Sequence, residues 1–500
     1  MVLLSVALLV RARAPRLGAP LLALMLAATG LSTPAAAQAA APGFVPADCK
    51  ATAATPRAEL ETRRDGIQAR LSKLRADLRA AAGDEPKVRS INRNIRRGQE
   101  DLLEVLFAID CKKDSEPVIA KRAVRMERAL PKAAPPPAPP TPAPSPPPAA
   151  ARGVPQDAPP PAAAAPGAPA QPEALLVTTY YATNRKLEKS PRSPGETYGL
   201  EAISDLTFGR AVVSIPPGHT VGTIELPSIW KLERTADPSK HFVLKEVVPI
   251  ESKAAMSEMS SRLRGGKSRA MLVYVHGYYM TFEEAALRTA QLAHDLQFPG
   301  IPFFYTWPSA GRVRAYLQDE ETARLCESVF EGLLKQLSAL PVEAIYIVAH
   351  SMGNRIVGHG LQGFVEKGND TRHIKELLLA APDINADIFK RNIAPSLAKM
   401  QNTRKTIYAS SGDIALVASK VVHGFPRVGE SSGGVQVYKG MDTIDASEAS
   451  TITRNFGHSY LVDSTSVLKD LQTIIARQLG AKARGLAERG VAPDVYWQLR

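Results

Sequence analysis

The chain has 500 residues, too many for one ordinary domain, and its 62 Lys and Arg against 49 Asp and Glu give a formal net charge of +13. The basic residues are scattered, and no zinc-finger, ribonucleoprotein-type or helix-turn-helix pattern accompanies them, so nucleic acid is excluded as the expected partner. Taken in order, Arg11, Arg13 and Arg16 precede the apolar run Leu17–Leu31 and the small-residue stretch Ser32–Ala39. That is the order of an export signal, with residues 1–39 removed and a periplasmic or secreted location expected; an uncleaved membrane anchor is the alternative.

Residues 40–130 are expected to form a helical hairpin with coiled-coil character. Apolar residues recur at helical spacing over Thr55–Ala82 and again over Lys87–Ile109, with Ala81–Pro86 as the turn. Cys49 and Cys111 fall at the open end of such a hairpin, where a disulfide is expected and two free thiols are the alternative. This module carries no catalytic chemistry. It could dimerise, touch the envelope or a membrane surface, or act as a spacer. From Pro131 to Pro172 the chain is almost wholly Pro and Ala without an aromatic residue, which predicts an extended linker at 131–172.

Residues 173–480 alternate strand and helix signals, and 481–500 are expected to be a C-terminal tail. Strands are predicted at Ala174–Tyr181, Gly209–Ile215, Arg269–Val275, Ile301–Thr306, Ala344–Val348, Ile374–Ala380, Thr406–Ser410 and Gly434–Tyr438. Helices are predicted at Thr281–Gln297 and Leu317–Leu337. Strands separated by long helices imply a mostly parallel sheet covered on both faces, with functional residues at the strand C-termini.

The strand Ala344–Val348 runs directly into Ala349-His350-Ser351-Met352-Gly353. Small residue, any, Ser, any, Gly between a strand and a helix is a nucleophile elbow, in which a sharp turn lifts the Ser hydroxyl above the sheet. Ser351 is therefore the expected nucleophile, and a hydroxyl needs a base. His458, in Asn455-Phe456-Gly457-His458-Ser459-Tyr460, is the first choice and His423 the rival. His350 is expected to pack below the site; His219, His241, His294, His359 and His373 are expected to be satisfied or surface residues. For the acid, Asp413 after the strand Thr406–Ser410 leads, Asp383 competes, and Asp445 and Asp463 trail. Met352 and Tyr278 are expected to offer backbone amides to an oxyanion. His276 is either structural or the floor of the site, and Trp307 either a pocket wall or a core anchor. Cys326 reads as a buried free thiol. No metal-ligand spacing is visible, and neither a metal nor a cofactor is expected.

Those motifs, with Tyr181-Ala182-Thr183-Asn184-Arg185, Val213–His219, Val275–Tyr278, Thr306–Ser309 and Gly457–Tyr460, give the C-terminal part a resemblance to a bacterial α/β-hydrolase family, DUF900. The resemblance spans about Leu176 to Leu479 and implies an α/β-hydrolase fold with a Ser351, Asp413 and His458 triad and ester hydrolysis. The expected substrate is a small or lipid-like ester. The alternatives are a lipase, with Ile414–Val428 as a lid, a thioesterase or amidase, and a non-catalytic envelope-binding or assembly protein on the same fold.

Overall fold

The computed structural model describes residues 55–80, ten positions between 86 and 108, and residues 173–227, 235–311, 315–449 and 458–499. The export signal, Cys49, Cys111 and the Pro/Ala linker lie outside them. In the N-terminal module, α1 spans Arg57–Ala80, and the described positions from Pro86 to Ala108 are helical. Leu60 packs with Val105 and Ala108, while Leu71 lies against Gly98. Numbers that fall on one helix as they rise on the other define an antiparallel hairpin. No helix among the described residues is long and apolar enough to cross a membrane.

The C-terminal part is built on one eleven-stranded sheet of order β10-β11-β9-β8-β7-β6-β4-β5-β1-β2-β3. Its members are β1 (Leu175–Leu187), β2 (Tyr198–Ile215), β3 (Val243–Ile250), β4 (Ala270–Val275), β5 (Ile301–Thr306), β6 (Ala344–His350), β7 (Ile374–Ala380), β8 (Arg404–Ala409), β9 (Asp442–Asp445), β10 (Ala487–Arg489) and β11 (Tyr496–Gln498). From β1 through β11 along the sheet the pairs are parallel; the β1–β2, β2–β3 and β10–β11 pairs at the two margins are antiparallel. Every residue of β4 and β5 is buried, as expected of central strands covered on both faces.

Helices cover both faces. On one face α2 (Ser252–Gly265), α4 (Tyr316–Ser338) and α5 (Gly353–Glu366) pack Met259, Phe330 and Ile356 against the sheet. On the other, α3 (Phe282–Asp295) and the helix Thr465–Arg477 contribute Leu287, Leu292 and Leu471. A capping box starts α3: Thr281 Oγ1 accepts from Glu284 N at 3.2 Å, and Glu284 Oε2 accepts from Thr281 N at 2.8 Å. The alanines 285, 286 and 290 give α3 a shallow face that lies flat on the sheet.

Three expectations change. Residues 481–500 are not a tail: β11 pairs with β9 through Trp497 and Ile444, and Leu499 N donates to Asp445 O, so this segment closes the sheet margin. No strand forms at Gly434–Tyr438; Tyr438 turns onto Phe389 with ring centroids 4.8 Å apart, and the strand is the later Asp442–Asp445. An additional strand, β3, forms the sheet edge and carries Pro249, whose missing N–H is easily accommodated where one side of a strand is unpaired.

Candidate active site

Ser351 directly follows β6 with φ at +53°, a left-handed value that costs an L-residue energy and is held by its surroundings. Ser351 N donates to Ala380 O at 3.0 Å, and Asn354 Nδ2 donates to both Ser351 O and Ala380 O at 3.0 and 2.9 Å. The glycine at 353 is required sterically, because a Cβ there would lie 2.4 Å from His276 O. Gly277 is required for the same reason: its Cβ would fall 2.7 Å from Ser351 Cβ. Ala349, the small residue before the turn, is fully buried. The turn is therefore an elbow in geometry as well as in sequence.

His458 is buried and donates from Nδ1 to both oxygens of Asp413, at 2.8 and 2.7 Å. With the proton on Nδ1, the neutral ring carries its lone pair on Nε2. That Nε2 is buried and has no hydrogen-bond partner among the described residues. Asp413 is fully buried; it caps α6 (Ile414–His423) by accepting from Leu416 N at 3.0 Å, so the positive end of a helix supports its charge. Burial pushes the Asp413 carboxyl up, and the His458 charge offsets only part of this. For His458, burial alone would lower the pKa, but the charge of Asp413 and its hydrogen bond outweigh that and hold it above the ordinary value.

Asp383 does not meet His458. Its Oδ1 accepts from Ser419 Oγ at 2.6 Å, its Oδ2 accepts from Tyr316 OH, and Arg355 and Arg427 lie at 3.6 and 3.4 Å. Burial raises its pKa, but the two guanidinium groups win and draw it down to about 2. Asp463 pairs with Arg288 at 3.0 Å, and Asp445 accepts from Ser447 N at 3.0 Å. His423, at the end of α6, has its ring nitrogens 2.8 Å from Ser419 O and from the Glu320 carboxylate on α4. Ile414–Val428, the lid candidate of the lipase alternative, is a helix and loop in which Leu416, Ser419, Arg427 and Val428 are buried.

His350 does more than pack below the site. Its Nε2 donates to His458 O at 2.9 Å, and the two rings are 4.7 Å apart. Burial, with the nearby His458 charge, lowers its pKa to about 3, so it stays neutral and keeps that donor. His276 is structural. Its Nδ1 donates to Gly277 O, so Nε2 must accept from Thr306 Oγ1, at 2.9 Å. Trp307 is a core anchor rather than a pocket wall: it is fully buried, stacks on His276 at 5.3 Å, and donates from Nε1 to His276 O.

Arg185 is the functional neighbour that sequence reasoning quoted but did not assign. It is fully buried behind the loop that follows β4, donating to Met280 O at 2.8 Å, Thr306 Oγ1 at 3.0 Å, and the carbonyls of Gly199 and Ser309 at 3.3 Å. Burial lowers its pKa to about 10, which still leaves it charged near neutrality. Ser309 Oγ completes the brace, donating to Asp319 at 2.6 Å and standing 3.3 Å from Met280 N. The Tyr278–Met280 loop is thus held from behind by one fixed cation. The only advance signal was an Asn-Arg pair ending a strand.

A cavity of about 380 Å³ opens beside His458 and His350. Tyr278, Tyr279, Met280, Leu287, Ile224 and Val462 give it an apolar wall, and Glu284, Arg288 and Asp463 add charge. Away from it, the fold brings His219, His294 and Asp295 together although 75 residues separate the first two, so no sequence spacing could have revealed them. Cys326 is buried and free, with Asn184 Nδ2 at 3.3 Å from its sulfur.

The largely parallel sheet covered by helices on both faces, with a sharp turn at Ser351 just beyond β6, gives this part of the chain an α/β fold. Residues 251–478 match the family described as "Alpha/beta hydrolase of unknown function (DUF900)", and a domain of that family occupies this stretch. No curated protein matches the chain in sequence. Among solved structures, an esterase from Pyrobaculum calidifontis is similar at 11% identity and a TM-score of 0.26, over 43% of this chain and 78% of that one. Phospholipase PlaB from Legionella pneumophila is similar at 11% identity and a TM-score of 0.21, over 46% and 68%. At such scores the fold rests on the sheet order and the elbow, not on these likenesses.

Proposed function

We propose that the domain is a serine carboxylesterase in which Ser351, His458 and Asp413 act together. His458 Nε2 takes the Ser351 proton as Oγ attacks the ester carbonyl. The oxyanion that forms is held by the amides of Met352 and Tyr278. The carbon–oxygen bond then breaks and the alcohol leaves with the proton from His458. Water repeats the sequence on the acyl enzyme and releases a carboxylic acid, so the enzyme is regenerated unchanged.

The observation that carries this reading is the buried Asp413–His458 pair, which leaves Nε2 as an unpartnered base. The apolar wall of the adjoining cavity favours an acyl group of moderate length over a sugar or nucleotide. Removal of residues 1–39 on export would set the reaction in the cell envelope or outside the cell.

The test is hydrolysis of p-nitrophenyl esters of increasing acyl length by wild type and Ser351→Ala, matched for folding by circular dichroism. Wild type is expected to release a stoichiometric burst of nitrophenol before its steady rate, and Ser351→Ala none. Equal rates in the two proteins would end the proposal.

A further inference from the structure

We propose that His219, His294 and Asp295 form a zinc-binding site that fastens the segment after β2 to the end of α3. This inference does not depend on the triad. The donor atoms of the three residues lie within 4.8 Å of one another. Asp295 Oδ1 faces His219 Nε2 at 2.8 Å and His294 Nδ1 at 3.3 Å.

The roles of the two Asp295 oxygens are already divided. Oδ2 takes the structural donors, Gly222 N at 2.9 Å and Gln291 Nε2 at 2.5 Å, while among the described residues Oδ1 meets the two imidazoles. His219 is likewise set up on its far side, where Nδ1 donates to Glu225 at 2.9 Å. A carboxylate behind a histidine fixes the ring and leaves the opposite nitrogen for an ion, as at most histidine–metal sites.

Two imidazoles and a carboxylate are a zinc donor set, with bonds of about 2.0–2.2 Å in a tetrahedron. Ligand atoms in such a tetrahedron lie roughly 3.3 Å apart, as geometry requires of those bond lengths. The His294–Asp295 spacing already meets this, and the His219–Asp295 contact needs only a small opening as the ion replaces the proton between them. The His219 and Asp295 side chains are buried, whereas His294 is 34% exposed, which gives the ion an entry and a place for water as fourth ligand.

The position gives the site a consequence. Ile224 and Leu226, just beyond His219, line the cavity beside His458. Gln291, which donates to Asp295, also donates to Val462 O at 3.1 Å, four residues past His458. Zinc would therefore fix one cavity wall and the segment carrying the base to the same helix.

The experiment is zinc titration of untagged full-length protein in competition with a chromophoric chelator, with thermal unfolding followed in parallel. Wild type is expected to bind one zinc that His294→Ala loses, and to gain thermal stability with zinc where His294→Ala gains none. His294 is partly exposed, so this variant is expected to fold. Glu225→Gln should weaken binding by about 10–100-fold, the usual effect of removing a carboxylate behind a ligand histidine. Zinc binding of equal stoichiometry and affinity in wild type and His294→Ala, or none in wild type, would overturn the proposal and leave a histidine–carboxylate clamp.

Discussion

The neighbouring strands β7 and β8 each lead into a fully buried aspartate, and the two carboxylates have opposite surroundings. Asp383, beyond β7, is ringed by Arg355, Arg427, Tyr316 and Ser419 and is drawn down to about 2. Asp413, beyond β8, meets one imidazole and one backbone amide, and burial pushes it up. A strand end supplies a place for an acid, but the counter-ion decides what the acid does. A carboxylate already matched by two guanidinium groups has little left with which to orient a histidine. One whose main partner is an imidazole has no other use for its charge.

The difference can be broken by exchanging charge for amide at each position. Asp413→Asn is expected to lower kcat by about 10⁴-fold with the fold retained, since the asparagine would favour the wrong His458 tautomer. Asp383→Asn should instead cost about 3–5 kcal/mol of stability in urea unfolding, because Arg355 and Arg427 lose their buried partner. Its folded molecules should turn over near the wild-type rate. If the two phenotypes were reversed, Asp383 would be the triad acid and the reading of both sites would fall.

A second brace offers a smaller effect. Arg185→Lys keeps the charge but loses the planar fork that reaches Met280 O, Thr306 and Ser309 O together. A displacement of the Tyr278–Met280 loop should reduce kcat by about 10²-fold, the scale expected for a misplacement near 1 Å, with KM changed less. An unchanged kcat would separate that loop from the reacting centre.

Acid titration sharpens the comparison further. The Asp383 pKa falls from 3.8 to about 2 on folding, so over that window the unfolded chain holds more protons. Its contribution, roughly 2 kcal/mol, is present above 3.8 and lost as pH falls towards 2. Asp413, raised by folding, contributes a slope of the opposite sign. Unfolding free energy measured against pH should therefore show a shallower acid limb in Asp383→Asn than in Asp413→Asn, the part carried by Glu320, also drawn down to about 2, remaining in both. The smallest expected effect is on the activity profile. His458 must be neutral to accept a proton, and Asp413 raises its pKa, so residual activity in Asp413→Asn should begin to rise at a lower pH than in wild type.

What could be read in advance follows the range of the interactions involved. The elbow and the central strands β4 to β8 are written in short runs, apolar residues bounded by turns, because each is buried by neighbours of the same kind. The margins were harder. β3, β10 and β11 are short or half-exposed, and the Gly434–Tyr438 run reads as a strand until Phe389 takes up Tyr438. Asp413 and Asp383 were both visible as strand-end acids, but their partners lie on α4, α5 and a loop more than 40 residues on, which no local pattern records. Arg185 and the His219–Asp295 cluster are products of folding alone.

Activation of Ser351 by His458 is tested most directly by covalent labelling with a fluorophosphonate, located by peptide mass spectrometry. The full-length protein should be labelled on Ser351, with His458→Ala and Asp413→Asn labelling far more slowly and Asp383→Asn labelling at the wild-type rate once corrected for its folded fraction. Folded wild type that takes up no label on Ser351, or takes it up as fast without His458, would show that His458 does not activate Ser351.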